Sequence, residues 1–165
     1  MGGRRLRIGL VAAAVFIVDL LTKQWVSTHL QAGQSIQVIP GLFSLTYVSN
    51  AGAAFGLLQN QTLLFIAITV VVVALIVTYG RRAARHQPLL GLAFGMQLGG
   101  ALGNLLDRLL YARVIDFLDV RGFPYVFNIA DSAIVVGGIL FALVVLREPQ
   151  TQPEPEAPPS GRRDG

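Results

Sequence analysis

Four long apolar blocks, at about 6–26, 62–79, 89–106 and 129–146, constrain this chain more than any other feature. As a helix at about 1.5 Å per residue, each is long enough to cross the roughly 30 Å hydrocarbon core of a bilayer. Within that core every backbone N–H and C=O must be satisfied inside the segment, which selects helices. Only 13% of the 165 residues are charged and the mean hydropathy is +0.61, whereas soluble domains carry about 25% charged residues. The expected fold class is therefore membrane all-α, a bundle of four transmembrane helices spanning residues 1–147.

The net charge of +4 and a pI near 10.1 raise the question of nucleic acid. The arginines answer it by position. Arg4, Arg5 and Arg7 precede the first block, Arg81, Arg82 and Arg85 lie between the second and third, and Arg147 closes the fourth. Such flanking charge follows the positive-inside rule and places both termini and the middle connection in the cytoplasm. No nucleic-acid partner is expected. A basic start before an apolar run also suits a cleavable signal peptide, but Asp19 and Lys23 stand where small residues before a cleavage site belong.

Between the first two spans the pattern changes. Residues 30–58 contain SIQVIPGLFSLTYV, which partly alternates, is rich in β-branched and aromatic residues, and breaks at Pro40-Gly41. This predicts a hairpin or bent strand pair outside the membrane, a small β-rich cradle. Residues 107–128 read as a polar outer loop holding Arg108, Arg113, Asp116, Asp119 and Arg121. The tail 148–165 is rich in proline and charge and reads as a disordered cytoplasmic segment.

Ionisable groups at membrane depth are costly and mark function or a specific partner. Asp19 and Lys23, four residues apart on one helix face with the acid first, have the favourable order for an ion pair that fastens the first span. Gly91, Gly95, Gly99, Gly103 and Asp107 form one stripe of the third span, with Gly100, Asn104 and Arg108 beside it. The glycines read as close helix packing; the amide and guanidinium suggest a site. Asp131, near the start of the fourth span, suits a helix cap. It also lies in the same connection as Asp116, so the bundle mouth can bring both carboxyls together.

The chain has no cysteine, and His29 and His86 offer no ligand spacing, so no metal and no cofactor are expected. Two aspartates suffice for amide hydrolysis. They hold a water between them, one accepting its proton and the other donating to the carbonyl oxygen. Such a pair shares one proton, because two like charges at about 3 Å cannot both stay ionised. The helix-start position favours an ionised Asp131, leaving Asp116 as the proton carrier. A small proton- or cation-coupled transporter is the alternative, and an assembly factor a further one. Transporter sites lie near the bilayer midplane, whereas these acids gather toward one face.

Four blocks carry a resemblance. Asp19–Lys23 (DLLTK), Asn50–Gly56 (NAGAAFG), Gly103–Phe117 (GNLLDRLLYARVIDF) and Phe127–Ser132 (FNIADS) resemble, in order, the motif blocks of signal peptidase II, the bacterial lipoprotein signal peptidases. The resemblance implies that Asp116 and Asp131 are the catalytic pair of an aspartic endopeptidase. It implies substrate-binding or supporting roles for Asn50, Gly52, Asn104, Arg108, Asn128 and Ala130, with Asp19 and Lys23 structural. The implied substrates are prolipoproteins, cut just before a lipid-modified cysteine, at the outer face of the bacterial inner membrane. Membrane lipid and a globomycin-type inhibitor are the other implied partners, and a monomer is expected. Two positions depart from the family pattern, Leu20 in place of glutamine and Ala112 in place of glycine. The second matters more, since alanine resists the positive φ that glycine permits.

Overall fold

A computed structural model of the chain describes residues 2–52, 61–80 and 87–147, with side chains from residue 6 onward. Ala53, Phe55 and Gly56 of the second motif block, Arg81, Arg82, Arg85 and His86 of the middle connection, and the tail 148–165 lie outside the described residues, as do the side chains of Arg4 and Arg5. The element order is α1 (Gly2–His29), β1 (Ser35–Ile39), β2 (Phe43–Asn50), α2 (Thr62–Leu75, continued by a π-helical turn Ile76–Gly80), α3 (Pro88–Tyr111), β3 (Val114–Val120), β4 (Val126–Phe127) and α4 (Ile129–Arg147). Three of the helices, Thr62–Gly80, Pro88–Tyr111 and Ile129–Arg147, are long and apolar enough to cross a membrane. Their outward faces are apolar, as at Leu63 on α2 and Leu146 on α4, each more than four-fifths exposed. Apolar surface on that scale fits a lipid surround better than water.

Helix α3 is the centre of the bundle, packed against both α1 and α4. Its glycines make this possible. A Cβ on Gly99 would stand 2.5 Å from the Ala12 carbonyl oxygen of α1, and one on Gly95 2.7 Å from Val11 Cβ. On the adjacent stripe, a Cβ on Gly100 would run into the Ala130 carbonyl of α4. The four-residue spacing thus serves close helix contact on two sides. Gly103 is different: a Cβ there would collide with the Asp19 carboxylate.

The collision marks a buried ion cluster. Lys23 Nζ lies 2.7 Å from Asp19 Oδ2 and 3.0 Å from Asp107 Oδ2, and donates to Asn104 Oδ1 at 2.9 Å. Asp19 Oδ1 accepts the Ala130 N–H of α4 at 2.8 Å, and Asp107 Oδ2 accepts the Ile115 N–H of β3 at 3.1 Å. The expected ion pair of α1 is present, and it is tied to α3, α4 and β3 as well.

The four strands form one antiparallel sheet in the order β1-β2-β3-β4. The hairpin turns at Pro40-Gly41 as expected, with Gly41 at φ 72 and the Leu42 N–H bonded to the Ile39 carbonyl. The segment read as a polar loop, 107–128, is corrected: α3 runs on to Tyr111, and Val114–Val120 is a strand paired along β2, with Val48 opposite Asp116 and Asn50 opposite Val114. The two acids of this strand find partners on β2: Asn50 donates to Asp116 and Thr46 Oγ1 donates to Asp119 Oδ2 at 2.6 Å. Beneath the sheet, Val26 and Leu30 of α1 and Phe117 of β3 form a small apolar core, joined by Leu45, Tyr47, Ile115, Leu118 and Ile129.

Ala112 ends α3 in the left-handed region at φ 55, its N–H bonded to the Arg108 carbonyl and its own carbonyl accepting from Thr62 Oγ1. It is the one non-glycine residue with positive φ among the described residues. Ala112→Gly relieves that strain and is expected to raise stability by about 1 kcal/mol, seen as a higher melting temperature in detergent. An unchanged or lower midpoint contradicts the strain. Asp19→Asn leaves Lys23 with one carboxylate in a buried site and is expected to cost about 3 kcal/mol. The same melting experiment checks it, and wild-type stability is the contrary result.

Candidate active site

Helix α4 begins at Ile129 because Asn128 caps it. Asn128 Oδ1 accepts the Asp131 N–H at 2.8 Å, the N-cap to N3 bond of a helix start. The Ser132 hydroxyl closes the first turn on the Asn128 carbonyl. With the Ala130 N–H taken by Asp19, two of the free amides at this end are satisfied by side chains. The sequence suggested Asp131 as a cap. The cap is Asn128, and Asp131 sits in the first turn with its carboxyl free for other partners.

The hydrogen-bond partner of the Asp131 carboxyl comes from α3, and those of Asp116 from β2 and the start of α4. Asn104 Nδ2 donates to Asp131 Oδ1 at 2.7 Å, while its oxygen accepts from Lys23. Asn128 Nδ2 donates to Asp116 Oδ1 at 2.7 Å, and lies 3.3 Å from Asn104 Oδ1 and 3.4 Å from the Ile115 carbonyl. On the other side, Asn50 Nδ2 donates to Asp116 Oδ2 at 2.9 Å, and Asn50 Oδ1 accepts the Gly52 N–H. Both oxygens of Asp116 are therefore held, one from β2 and one from the start of α4. One amide side chain, Asn128, touches both aspartates.

Burial sets the electrostatics. Asp116 is 2% exposed and Asn128 is fully buried. The Asp116 carboxyl is pushed up to about 7, first by burial and then by the negative charge of Asp131. The hydrogen bonds from Asn50 and Asn128 and the charge of Lys23 pull the other way without cancelling the rise. Asp116 can therefore hold its proton near neutral pH, with the charge of Asp131 near enough to favour the protonated form.

Of the residues singled out from sequence, Asp116, Asp131, Asn50, Asn104 and Asn128 meet directly. Gly52 and Ala130 contribute backbone N–H groups, to Asn50 and Asp19. Asp19 and Lys23 join through Asn104. Arg108 lies one turn beyond Asn104, near the Asn104 carbonyl. Asp107 belongs with them, although from sequence it had no site role, only a place on the glycine stripe and within the third motif block. Its position four residues after Gly103, next to Arg108, was the available signal; its long-range pairing with Lys23 was not visible in local pattern.

The chain is similar to known proteins over most of its length. A family profile described as Signal peptidase (SPase) II matches residues 11–147. A lipoprotein signal peptidase of Moorella thermoacetica is 47% identical over 137 residues, 83% of this chain and 91% of that protein. One from Pelotomaculum thermopropionicum is 45% identical over 139 residues, 84% of this chain and 91% of its own. A solved bacterial membrane enzyme superposes with a TM-score of 0.81 at 34% identity, covering 90% of this chain and 93% of that one. A second gives 0.78 at 35%, covering 85% and 92%. These matches favour a peptidase over the transporter reading. From its matching profile, its relatives and its fold, the chain belongs to the signal peptidase II family of membrane aspartic peptidases.

Proposed function

We propose that this chain removes signal peptides from lipid-modified prolipoproteins, with Asp116 and Asp131 as the reacting acid pair. The observation that carries the proposal is the Asn128 side chain, which donates to the Asp116 carboxylate and accepts the Asp131 N–H, so one amide ties the Asp116 carboxyl to the helix turn that carries Asp131. In the proposed reaction a water lies between the carboxyls. One carboxylate takes its proton as the oxygen attacks the carbonyl carbon before the lipidated cysteine, and the protonated partner donates to the carbonyl oxygen. Collapse of the tetrahedral intermediate breaks the C–N bond, and the departing amine takes up the proton. Asp116 is the natural proton carrier, since burial and Asp131 raise its affinity for the proton.

The membrane arrangement is part of the same proposal. Helix α1, with its 28 residues, is the fourth span beside the three apolar helices. Both termini lie in the cytoplasm of a bacterial inner membrane, and the acid pair and the sheet lie at the outer face. A diacylated substrate already sits in the bilayer there, and water reaches the pair from outside. The sheet then covers the extended peptide around the scissile bond. The enzyme acts as a monomer, with membrane lipid around it and globomycin-type cyclic peptides as inhibitors.

Asp116→Asn and Asp131→Asn are each expected to lower turnover of a lipidated prolipoprotein by about a thousandfold or more, with the melting temperature retained. Near-normal turnover by either folded variant sinks the pair. The pH dependence has a definite sign. The pair needs one proton, so kcat/KM is expected to fall as pH rises through about 7, where Asp116 loses it. Asn50→Ala removes a hydrogen bond that favours the charged form, so the alkaline limb should move to higher pH. A limb that stays or moves to lower pH contradicts this. The raised affinity also makes the folded state the tighter proton binder. The Asp116 contribution to stability should therefore decline between about pH 4 and pH 7.

A further inference from the structure

Among the described residues, Arg108 is a cation near the acid pair that the ion cluster leaves unclaimed. Among the described residues it makes no ion pair, and its bond to the Asn104 carbonyl is long, at 3.4 Å. What it lies against is an aromatic ring: its guanidinium carbon sits 4.9 Å from the centroid of Phe65 on α2. A guanidinium within about 6 Å of a ring centre is attracted by the ring face. Phe65 falls in none of the motif blocks, and nothing in the sequence marked it.

The ring is held where this contact needs it. Helix α2 buries no residue over Thr62–Leu75, so general packing does little to fix it. A polar bond secures this end instead, from Thr62 Oγ1 to the Ala112 carbonyl at 3.1 Å, while that of Thr69 Oγ1 to the Phe65 carbonyl at 2.7 Å lies within α2 itself. The first ties the start of α2 to the end of α3, one turn past Arg108.

We infer that Phe65 is a positioning residue whose ring holds the Arg108 guanidinium at the mouth of the site and off the carboxylates of Asp116 and Asp131. The inference rests on the reading of those two acids as the reacting pair. The charged groups around Asp116 are Lys23 from α1, Asp107 and Arg108 from α3, and Asp131 from α4; the amides of Asn50 and Asn128 complete its surroundings. Lys23 and Asp107 are locked to each other, and Asp131 is held by Asn104. Arg108 is the member of this group that makes no ion pair among the described residues. A guanidinium released among carboxylates forms a forked pair with one of them. Such a pair would stabilise the fully ionised acids and remove the proton that the reaction uses.

The test is a double-mutant cycle on prolipoprotein cleavage by the full chain, with melting temperature recorded for each variant. Phe65→Leu is expected to lower kcat by about three- to thirtyfold, the range of one desolvated cation–ring contact. It should also shift the alkaline limb of the pH profile to lower pH, as the freed guanidinium favours the ionised acids. Phe65→Tyr keeps the ring and should restore both. On an Arg108→Gln background, Phe65→Leu should add no further loss. An equal loss on both backgrounds, an unshifted limb or failure of the tyrosine variant to restore activity overturns the inference. Failure of the acid-pair reading shows separately, as turnover retained by Asp116→Asn.

Discussion

The ammonium group of Lys23 sits where helix α1 meets α3, and each of its contacts fixes a different part of the molecule. It has three hydrogens to give, and three acceptors surround it: Asp19 on its own helix, Asp107 and Asn104 on α3. The carboxylates pass the constraint on, Asp19 to the first turn of α4 and Asp107 to the backbone of β3. A buried charge at this depth is costly unless its donors are all matched. Here they are matched by groups from the elements that must meet, so the cost of the charge becomes a condition on the fold. The glycines of α3 serve the same end, since a side chain at Gly103 would displace Asp19 from the cluster.

From Lys23 outward the work passes to asparagines. A carboxamide gives and accepts at once, so its orientation is set by having both kinds of partner. Asn104 accepts from Lys23 and donates to Asp131; Asn128 accepts from the α4 backbone and donates to Asp116; Asn50 accepts from Gly52 and donates to Asp116. The two aspartates are thus aimed by neutral donors, which orient a carboxylate without adding a full positive charge beside it. That leaves room for a raised proton affinity at Asp116, where a lysine or arginine in contact would have lowered it.

Much of this was legible in local pattern. The break at Pro40-Gly41 gave the hairpin, and the four-residue spacing of glycines gave the packed faces of α3. The i,i+4 spacing gave the Asp19–Lys23 pair. The motif blocks singled out Asn50, Asn104 and Asn128 as well as the acids. Strand β3 was hidden because Arg113, Asp116, Asp119 and Arg121 give its neighbourhood the look of a solvated loop. Its acids are satisfied by Asn50 and Thr46, far away in sequence. The roles of Asp107 and Phe65 were hidden for the same reason, since each acts through a partner on another helix or strand. Ala112 was flagged by its departure from glycine, and its positive φ is where that departure falls in the fold.

The central claim is that Asp116 and Asp131 act on one water together. The most direct measurement is a structure of the chain bound to a lipopeptide in which the scissile amide is replaced by a secondary alcohol, a mimic of the tetrahedral intermediate. The account predicts the hydroxyl within hydrogen-bond distance of a carboxyl oxygen of both aspartates, about 2.5–3.0 Å for O–H···O contacts. A hydroxyl held by one aspartate alone, or seated elsewhere in the fold, would contradict it.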